Sequence, residues 1–532
     1  MNIKSLWGLC LSPAALLFCP AAQAQIALEA IGRYSTGVFD ESATEISTFD
    51  PVTAQLFVTN AAGNRVDVLN LSNPAAPEFA FSIEVGNNIN SVSFQNGILA
   101  AAVEGDTPQD PGQVLFFNAK GDRLNGLTVG ALPDMLTFTP DGKKVLVANE
   151  GEPSEDYSLD PEGSVSIIDV SKGIENASVI TADFSAFNGT NGATSDKLDK
   201  NVRVFGLNAT VAQDLEPEYI AVSQDSTKAW VTLQEANALG VVDLQTGTIT
   251  NVLGLGFKDY SLPANRLDAS NEDGAINITN YDNLFGLYQP DAIATYEVNG
   301  QTYLVTANEG DARVRPTGDE EIPGVEEGDI FNEESRVGKL ELDPTAFPNA
   351  AELQADEVLG RLKVTNTMGD LDGDGDYDQL YAYGGRSFSI WNSSGELIFD
   401  SGSQFDYITA AMYPDDFNST NDENGSFDDR SDDKGTEPEG VALAQIGDRH
   451  YGFIGLERMG GIMVYDITDP MQPFFVDYTN TRDFSGDAAA GTAGDLAPEG
   501  LVFIPAKDSP NGENLLVATN EVSGTVTIFQ VK

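Results

Sequence analysis

Pro133-Asp134, then Val145-Leu146-Val147-Ala148-Asn149-Glu150, then Val165-Ser166-Ile167-Ile168-Asp169-Val170: the fold is decided in this stretch. An acid behind a proline opens one β run, Asn-Glu ends the next, and a third runs apolar up to an aspartate. Short runs of β-branched and aliphatic residues, cut by Gly, Pro, Asn and Asp, mark strands joined by tight turns. The unit returns at Pro290-Asp291 with Tyr303–Glu309, and at Pro438-Glu439 with Gly452–Glu457 and Ile462–Ile467. It returns again at Pro498-Glu499 with Leu516–Glu521 and Val526–Phe529. Repeats spaced by roughly 40–70 residues, each holding three or four short strands, predict an all-β chain folded as a β-propeller.

Counted along the chain there are eight such units. The first holds Leu56–Val58, Arg65–Leu71 and Phe79–Val85, and the second runs from Ser91–Phe94 to Val114–Asn118. Others open at Pro133, Pro217 and Pro290, and the last two at Pro438 and Pro498. The sixth holds Gln379–Tyr383, Ser387–Trp391 and Leu397–Phe399 but lacks the Pro-acid opening, so seven or eight four-stranded blades are expected, with eight favoured. The run Ala27–Tyr34 is expected to add a fourth strand to the last blade, closing the ring and removing a sheet edge. The polar insertions Asn188–Asn201, Ala264–Asn283, Arg315–Glu334, Asp415–Lys434 and Thr481–Asp495 read as long surface loops of one propeller domain spanning 25–532.

Charge and termini narrow the setting. Against 83 acidic residues stand 28 Lys and Arg, a formal net charge of −55. Such a chain repels nucleic acid and anionic membranes, and neither is an expected partner. Lys4, the apolar run Leu6–Phe18 and Ala22-Gln23-Ala24 read as a cleavable signal peptide over 1–24, too short for a membrane span. A secreted or periplasmic monomer is expected. Cys10 and Cys19 both fall within that leader, so no disulfide staples the mature chain. Its size must supply the stability.

The densest local motif is Asp370-Leu371-Asp372-Gly373-Asp374-Gly375-Asp376-Tyr377-Asp378. Carboxylates at alternate positions, turned by Gly375, can wrap oxygens round a hard cation, as in an EF-hand loop. The twelfth position is Tyr381 rather than Glu, so a Ca2+ loop set between strands is expected, the plain alternative being an acidic surface turn. A second concentration follows from topology. The start of a blade's first strand and the end of its second lie on one face of a propeller. This brings Asp134, Glu218, Asp291, Glu439 and Glu499 to one mouth of the channel, ringed by Glu150, Glu235, Glu309, Glu457 and Glu521. Crowded acids hold their protons unless cations neutralise them, so Ca2+ is expected at Glu150, Asp291, Glu309, Asp311, Glu439 and Glu499. Alternatively each acid caps its own turn.

Arg313, Arg386 and Arg458 follow β runs in three successive units, and Arg65 stands at a similar place in the first. They read either as partners of the acids or as a clamp for an anion. His450 is the chain's one histidine, which excludes a zinc centre built from several histidines. Neither a Gly-x-Ser-x-Gly elbow nor a phosphate-cradling Gly-x-x-x-x-Gly-Lys-Ser/Thr loop is present.

Several stretches resemble the choice-of-anchor I proteins, which are exported bacterial propellers. They are Leu132–Leu136 with Ala148–Glu152, and Ala307-Asn308-Glu309-Gly310-Asp311-Ala312-Arg313. To these add Asp372–Asp376 with Gly385-Arg386-Ser387-Phe388-Ser389-Ile390, and Glu457-Arg458-Met459-Gly460-Gly461-Ile462. Val68–Pro74 and Tyr465–Pro470 also resemble LVIVD-type propeller repeats. Some members carry an alkaline phosphatase label, and others are likened to mesenchyme-specific cell-surface glycoproteins. The sequence stops at its final blade without the sorting segment that names the group, so a free soluble protein is expected. The resemblance, with the matched arginines, implies a calcium-dependent phosphoesterase acting on a small anionic substrate at the channel mouth. Arg313, Arg386 and Arg458 would grip the phosphate. The alternative is a non-catalytic, calcium-stabilised propeller that binds an extracellular ligand.

Overall fold

A computed structural model describes residues 26–189, 195–318, 322 and 324–532, and the signal peptide expected over 1–24 lies outside them. Seven four-stranded antiparallel sheets follow one another along the chain. Sheet 1 runs from Ser47–Asp50 to Glu78–Glu84, sheet 2 from Ile89–Gln95 to Arg123–Ala131, and sheet 3 from Pro133–Phe138 to Ser178–Asp183. Sheet 4 runs from Ile220–Val222 to Thr248–Gly254, and sheet 6 from Pro438–Ile446 to Phe474–Thr479. Their first strands stand side by side in chain order, and that of sheet 7 touches that of sheet 1. In sheet 7, Leu28–Ser35 pairs antiparallel with Thr525–Val531 and completes the set begun by Pro498–Ile504 and Leu515–Asn520.

The middle strand Ile98–Val103 is apolar throughout because its sheet is packed on both faces. In Ile98–Val103, side chains alternate between faces. Leu99, Ala101 and Val103 join the core shared with Val66 and Val68 of sheet 1. Ala100 and Ala102 join the one shared with Val145 and Val147 of sheet 3. Outer strands cover one face only and carry exposed positions, as in Glu78–Glu84.

The sixth unit read from the sequence does not form a sheet of its own. Ser387–Asn392 pairs with Gln301–Asn308, and Leu397–Asp400 completes that sheet, so two sequence units merge into sheet 5. The residues inserted between them leave that sheet. Leu380–Ala382 pairs in parallel with Leu284–Leu287 inside a five-stranded side sheet with Phe257–Asp259, Lys363–Thr365 and Glu334–Arg336. That side sheet has its own core of Tyr260, Leu267, Tyr281, Val337, Phe347, Leu359 and Leu362. Two insertions expected as surface loops are therefore partly internal. Ala264–Asn283 supplies Leu267, Ala269 and Tyr281 to this core, and Asp415–Lys434 buries Asn418, Ser419, Asn421, Asp428 and Ser431. Among the described residues no helix is long and apolar enough to cross a membrane.

Candidate metal centre

The Pro-acid corners are built alike. The residue before the proline is left-handed at Leu132 (φ 45°), Gln289 (φ 41°), Glu437 (φ 49°) and Ala497 (φ 58°). This conformation is costly for a residue with a Cβ, and more so ahead of proline. Pairing with the second strand then slips between Pro133 and Leu136, Pro438 and Val441, and Pro498 and Leu501. A bulge re-aims the residue inside it, here Asp134, Glu439 and Glu499. The acid after the second strand is clipped to the same corner by its backbone. Glu150 N–H donates to Leu132 O at 2.9 Å, Glu457 to Glu437 O at 2.8 Å, and Glu521 to Ala497 O at 2.8 Å. Before Glu150 and Glu309 stands a buried asparagine tied to strand three: the Asn149 amide donates to Ser166 Oγ at 3.0 Å, and that of Asn308 to Ser389 Oγ at 2.8 Å. Strain at one corner is thus held by hydrogen bonds from two other strands, as at sites where position matters.

These corners converge. A cavity of about 310 Å³ is lined by Asp134, Glu150, Glu218, Asp291, Glu309, Asp311, Glu439 and Glu499, with Asn90, Tyr219 and Gln234. The five acids expected at the mouth line it, with Asp311 and, of those expected around them, Glu150 and Glu309; Glu235, Glu457 and Glu521 are not among the lining residues. Glu45, which carries no signal in the sequence, is raised by burial and the charge of Glu521 and itself raises Glu499. Three triads, Glu150–Glu218–Glu235, Asp291–Glu309–Glu439 and Glu309–Glu437–Glu457, each bring one oxygen per residue to within 4.8 Å of the others. Oε2 of Glu218, Glu235, Glu439 and Glu499 is buried and meets no donor, so at those atoms the acids do not act as turn caps.

Burial, then the neighbouring acids, raises their pKa values. Asp134 is pushed up to about 7 and Glu45 to about 8. Glu150, Glu218, Asp291, Glu439 and Glu499 stand well above the ordinary carboxylate range for the same reasons. Asp311 is exposed to solvent at the mouth, yet the protein around it desolvates its carboxyl and raises it to about 7 against Lys434; burial raises Glu457 to about 8, although Arg458 opposes the rise. Such a set is relieved by protons or by cations. Its donors are all oxygen, which suits a hard divalent ion such as Ca2+.

The three arginines do not line the cavity. Arg313 is buried in ion pairs with Asp214 and Glu216, its guanidinium 4.8 Å from the Phe205 ring centre. Arg386 is buried and donates to backbone carbonyls of Asp268, Ser431 and Asp433 at 2.6–2.8 Å. Arg458 is about a quarter exposed and lies 3.1 Å from Glu437 and 3.4 Å from Glu457. Arg65 pairs with Asp67 at 2.8 Å. A cation bound to an acid of the cavity wall is Lys434, whose Nζ lies 2.8 Å from Glu309 and 3.1 Å from Glu437. One lysine in Asp432-Asp433-Lys434 carries no signal in the sequence; the folding of its loop delivers it. Burial acts to raise Glu437, but Lys434, Arg430 and Arg458 outweigh it and hold that carboxyl well below the usual range. His450 packs against Tyr296 with ring planes tilted by 50° and ring centres 5.5 Å apart, and does not line the cavity.

The Asp370–Asp378 loop lies elsewhere, on the connection between Lys363–Thr365 and Leu380–Ala382 of the side sheet. Asp370, Asp372 and Asp374 bring oxygens within 4.8 Å and are exposed. Asp370 accepts from the N–H of Gly373, Asp374 and Gly375 at 2.7–3.2 Å, and Asp378 from Leu371 at 2.8 Å. Desolvation and then Asp374 raise Asp376 to about 6.

Comparison with known proteins finds relatives and a family for this chain. Gigasin-3a of Magallana gigas is 36% identical over 191 residues, which cover 34% of this chain and 67% of that protein. The mesenchyme-specific cell surface glycoprotein of Strongylocentrotus purpuratus is 28% identical over 287 residues, 48% of this chain and 35% of that one. This chain thus spans only about a third of the second relative. Among solved structures, the β-propeller domain of Myceliophteria_thermophila Cps50 (Swd1) superimposes with a TM-score of 0.46 at 10% identity, over 95% of this chain and all of that one. Kuenenia stuttgartiensis hydrazine synthase gives 0.45 at 12%, over 93% and 99%. The choice-of-anchor I domain matches residues 45–470, and the chain belongs to the choice-of-anchor I family.

Proposed function

We propose that this protein is an exported, calcium-binding propeller whose carboxylate bowl takes up Ca2+ and, through it, a small anionic ligand of phosphate-ester type. The observation that carries the reading is the set of buried carboxylate oxygens without a donor round one cavity. An ionised carboxylate stripped of water and of partners is costly, and a cation removes that cost. Glu150, Glu218, Asp291, Glu309, Asp311, Glu439 and Glu499 are the residues that would hold it. Bound there, a divalent ion supplies charge that attracts and polarises a phosphoryl oxygen. Export is supported by the leader-like start of the sequence and by the name of the Strongylocentrotus purpuratus relative, a cell surface glycoprotein.

Two activities fit such a bowl. Binding an anion through calcium needs no further group. Hydrolysis of a phosphomonoester asks for cations that hold the departing and transferred oxygens. Of the arginines proposed for this, Arg313 and Arg386 have internal partners, which favours binding. Arg458, partly exposed beside Glu457, and Lys434 at the rim keep the calcium-dependent phosphoesterase as the second reading.

Chelator-stripped protein is titrated with Ca2+ by calorimetry, then given a chromogenic phosphomonoester at alkaline pH. Ion uptake without turnover fits the binding propeller. Turnover that needs calcium and falls in Arg458→Ala assigns the hydrolase. Absence of ion uptake at the bowl defeats both.

A further inference from the structure

The triads round the mouth differ in what already neutralises them. At the Glu309–Glu437–Glu457 corner the protein supplies its own cations: Lys434 lies 2.8 Å from Glu309, and Arg430 lies 2.7 Å from Glu437. The Asp291–Glu309–Glu439 corner shares Glu309, both of whose oxygens are engaged, Oε1 by Lys434 and Oε2 by the Gln234 amide at 3.0 Å. Glu150, Glu218 and Glu235 have no such direct partner; against burial, the charge of Arg313 acts to pull the Glu235 pKa down, but its guanidinium is paired with Asp214 and Glu216. Among the described residues, no lysine or arginine lies within salt-bridge distance of them. Glu218 is 8% exposed and Glu235 is 4% exposed, and Oε2 of each is buried without a donor. Water therefore solvates these two oxygens little, and one carboxylate oxygen from each of the three residues stands within 4.8 Å of the others.

We infer that Glu150, Glu218 and Glu235 form the high-affinity divalent-cation site of the bowl, while Lys434 is a resident cation that fills the corresponding place at the Glu309 corner. The inference rests on the calcium-bowl reading above. The physical reason is the same at both corners: three converging carboxylates are stable only with positive charge among them. One corner obtains it from a lysine on the Asp415–Lys434 loop. At the other the protein provides none at salt-bridge distance, and an all-oxygen donor set selects a hard ion of the calcium or magnesium class. Glu150 comes from the end of a strand in sheet 3, and Glu218 and Glu235 flank the first two strands of sheet 4, so bound metal would also tie two sheets together.

The test uses the full chain carrying Asp372→Asn and Asp374→Asn, which removes the exposed loop as a competing site. Calcium alone is titrated into chelator-stripped protein. Glu218→Gln is expected to bind one ion fewer than this parent and to melt at a higher temperature in chelator, because repulsion is relieved. The higher melting point also shows that the variant is folded. Lys434→Gln, which frees Glu309 and Glu437, is expected to gain a further, weaker ion. If the parent takes up no ion, the bowl reading falls and this inference with it. If the parent binds calcium and Glu218→Gln binds as many ions as tightly, only the assignment to this corner falls. Loss of the ion in Lys434→Gln with its retention in Glu218→Gln moves the site to the Glu309 corner and likewise overturns the assignment.

Discussion

The channel mouth and the Asp370–Asp378 loop are both acid-rich, and they solve crowding in opposite ways. The loop gathers five aspartates from nine consecutive residues, keeps most of them in solvent, and engages Asp370 and Asp378 with its own backbone N–H groups. Even without an ion it is a satisfied turn. The mouth gathers its acids from sheets far apart in sequence, half-buries most of them, and leaves several of their oxygens buried without donors. Solvent screens charges in the loop but only weakly in the bowl. The lesson is that acid density in sequence is a poor guide to where a cation is needed; burial without partners is the better one.

The largest effect is expected where a buried cation already serves the bowl's flank. Arg313 is enclosed with Asp214 and Glu216, and removing it strands two buried carboxylates. Arg313→Met should lower stability by about 3–5 kcal/mol in denaturant titration. Arg458→Met, at a partly exposed rim pair, should lose about 1 kcal/mol or less. Equal losses would show that the bowl is not the low-screening environment described.

The pH dependence should separate bowl from loop next. A carboxyl whose pKa is raised by folding binds its proton more tightly in the folded chain than in the unfolded one. Its stabilising contribution is complete below the unfolded value of about 4 and is lost as pH climbs through the folded value. For Asp134 and Asp311 that value is about 7, and for Glu45 and Glu457 about 8. In chelator, the melting temperature should therefore fall between pH 5 and pH 8, on the order of 5 °C or more. Saturating calcium should flatten the fall, because the ion replaces the proton. Identical slopes with and without calcium would contradict cation binding at the mouth. Glu439→Gln should behave similarly on a smaller scale, melting higher than the parent in chelator and losing part of the calcium-induced rise.

Much of this was legible in the residues. The Pro-acid openings and Asn-Glu endings give strand polarity, and polarity alone puts Asp134, Asp291, Glu439 and Glu499 on one face. Two things were not legible. The blade that begins at Ile293–Val298 is completed only by Ser387–Asn392 and Leu397–Asp400, after an insertion that builds a side sheet, and strand propensity cannot reveal such a non-local pairing. Nor can periodicity say which way a long side chain reaches. Arg313 and Arg386 follow β runs as matched positions should, yet one turns to Asp214 and Glu216 and the other to backbone carbonyls. Lys434, which does reach an acid of the cavity wall, sits in an acidic stretch that looks like solvated loop.

The smallest effect is expected at the loop. Asp372→Asn with Asp374→Asn removes two exposed carboxylates, and Asp374 is the main cause of the raised pKa at Asp372. The pair should shift the melting temperature in chelator by no more than about 1 °C, since exposed charges contribute little in either direction. With calcium the double variant should lose a weak ion, read by calorimetry, while keeping the tighter uptake and the flattened pH response assigned to the mouth. Loss of the tight ion in this variant would reverse the comparison: the exposed loop would then hold the principal cation, and the buried acids at the mouth would have to be neutralised by protons alone.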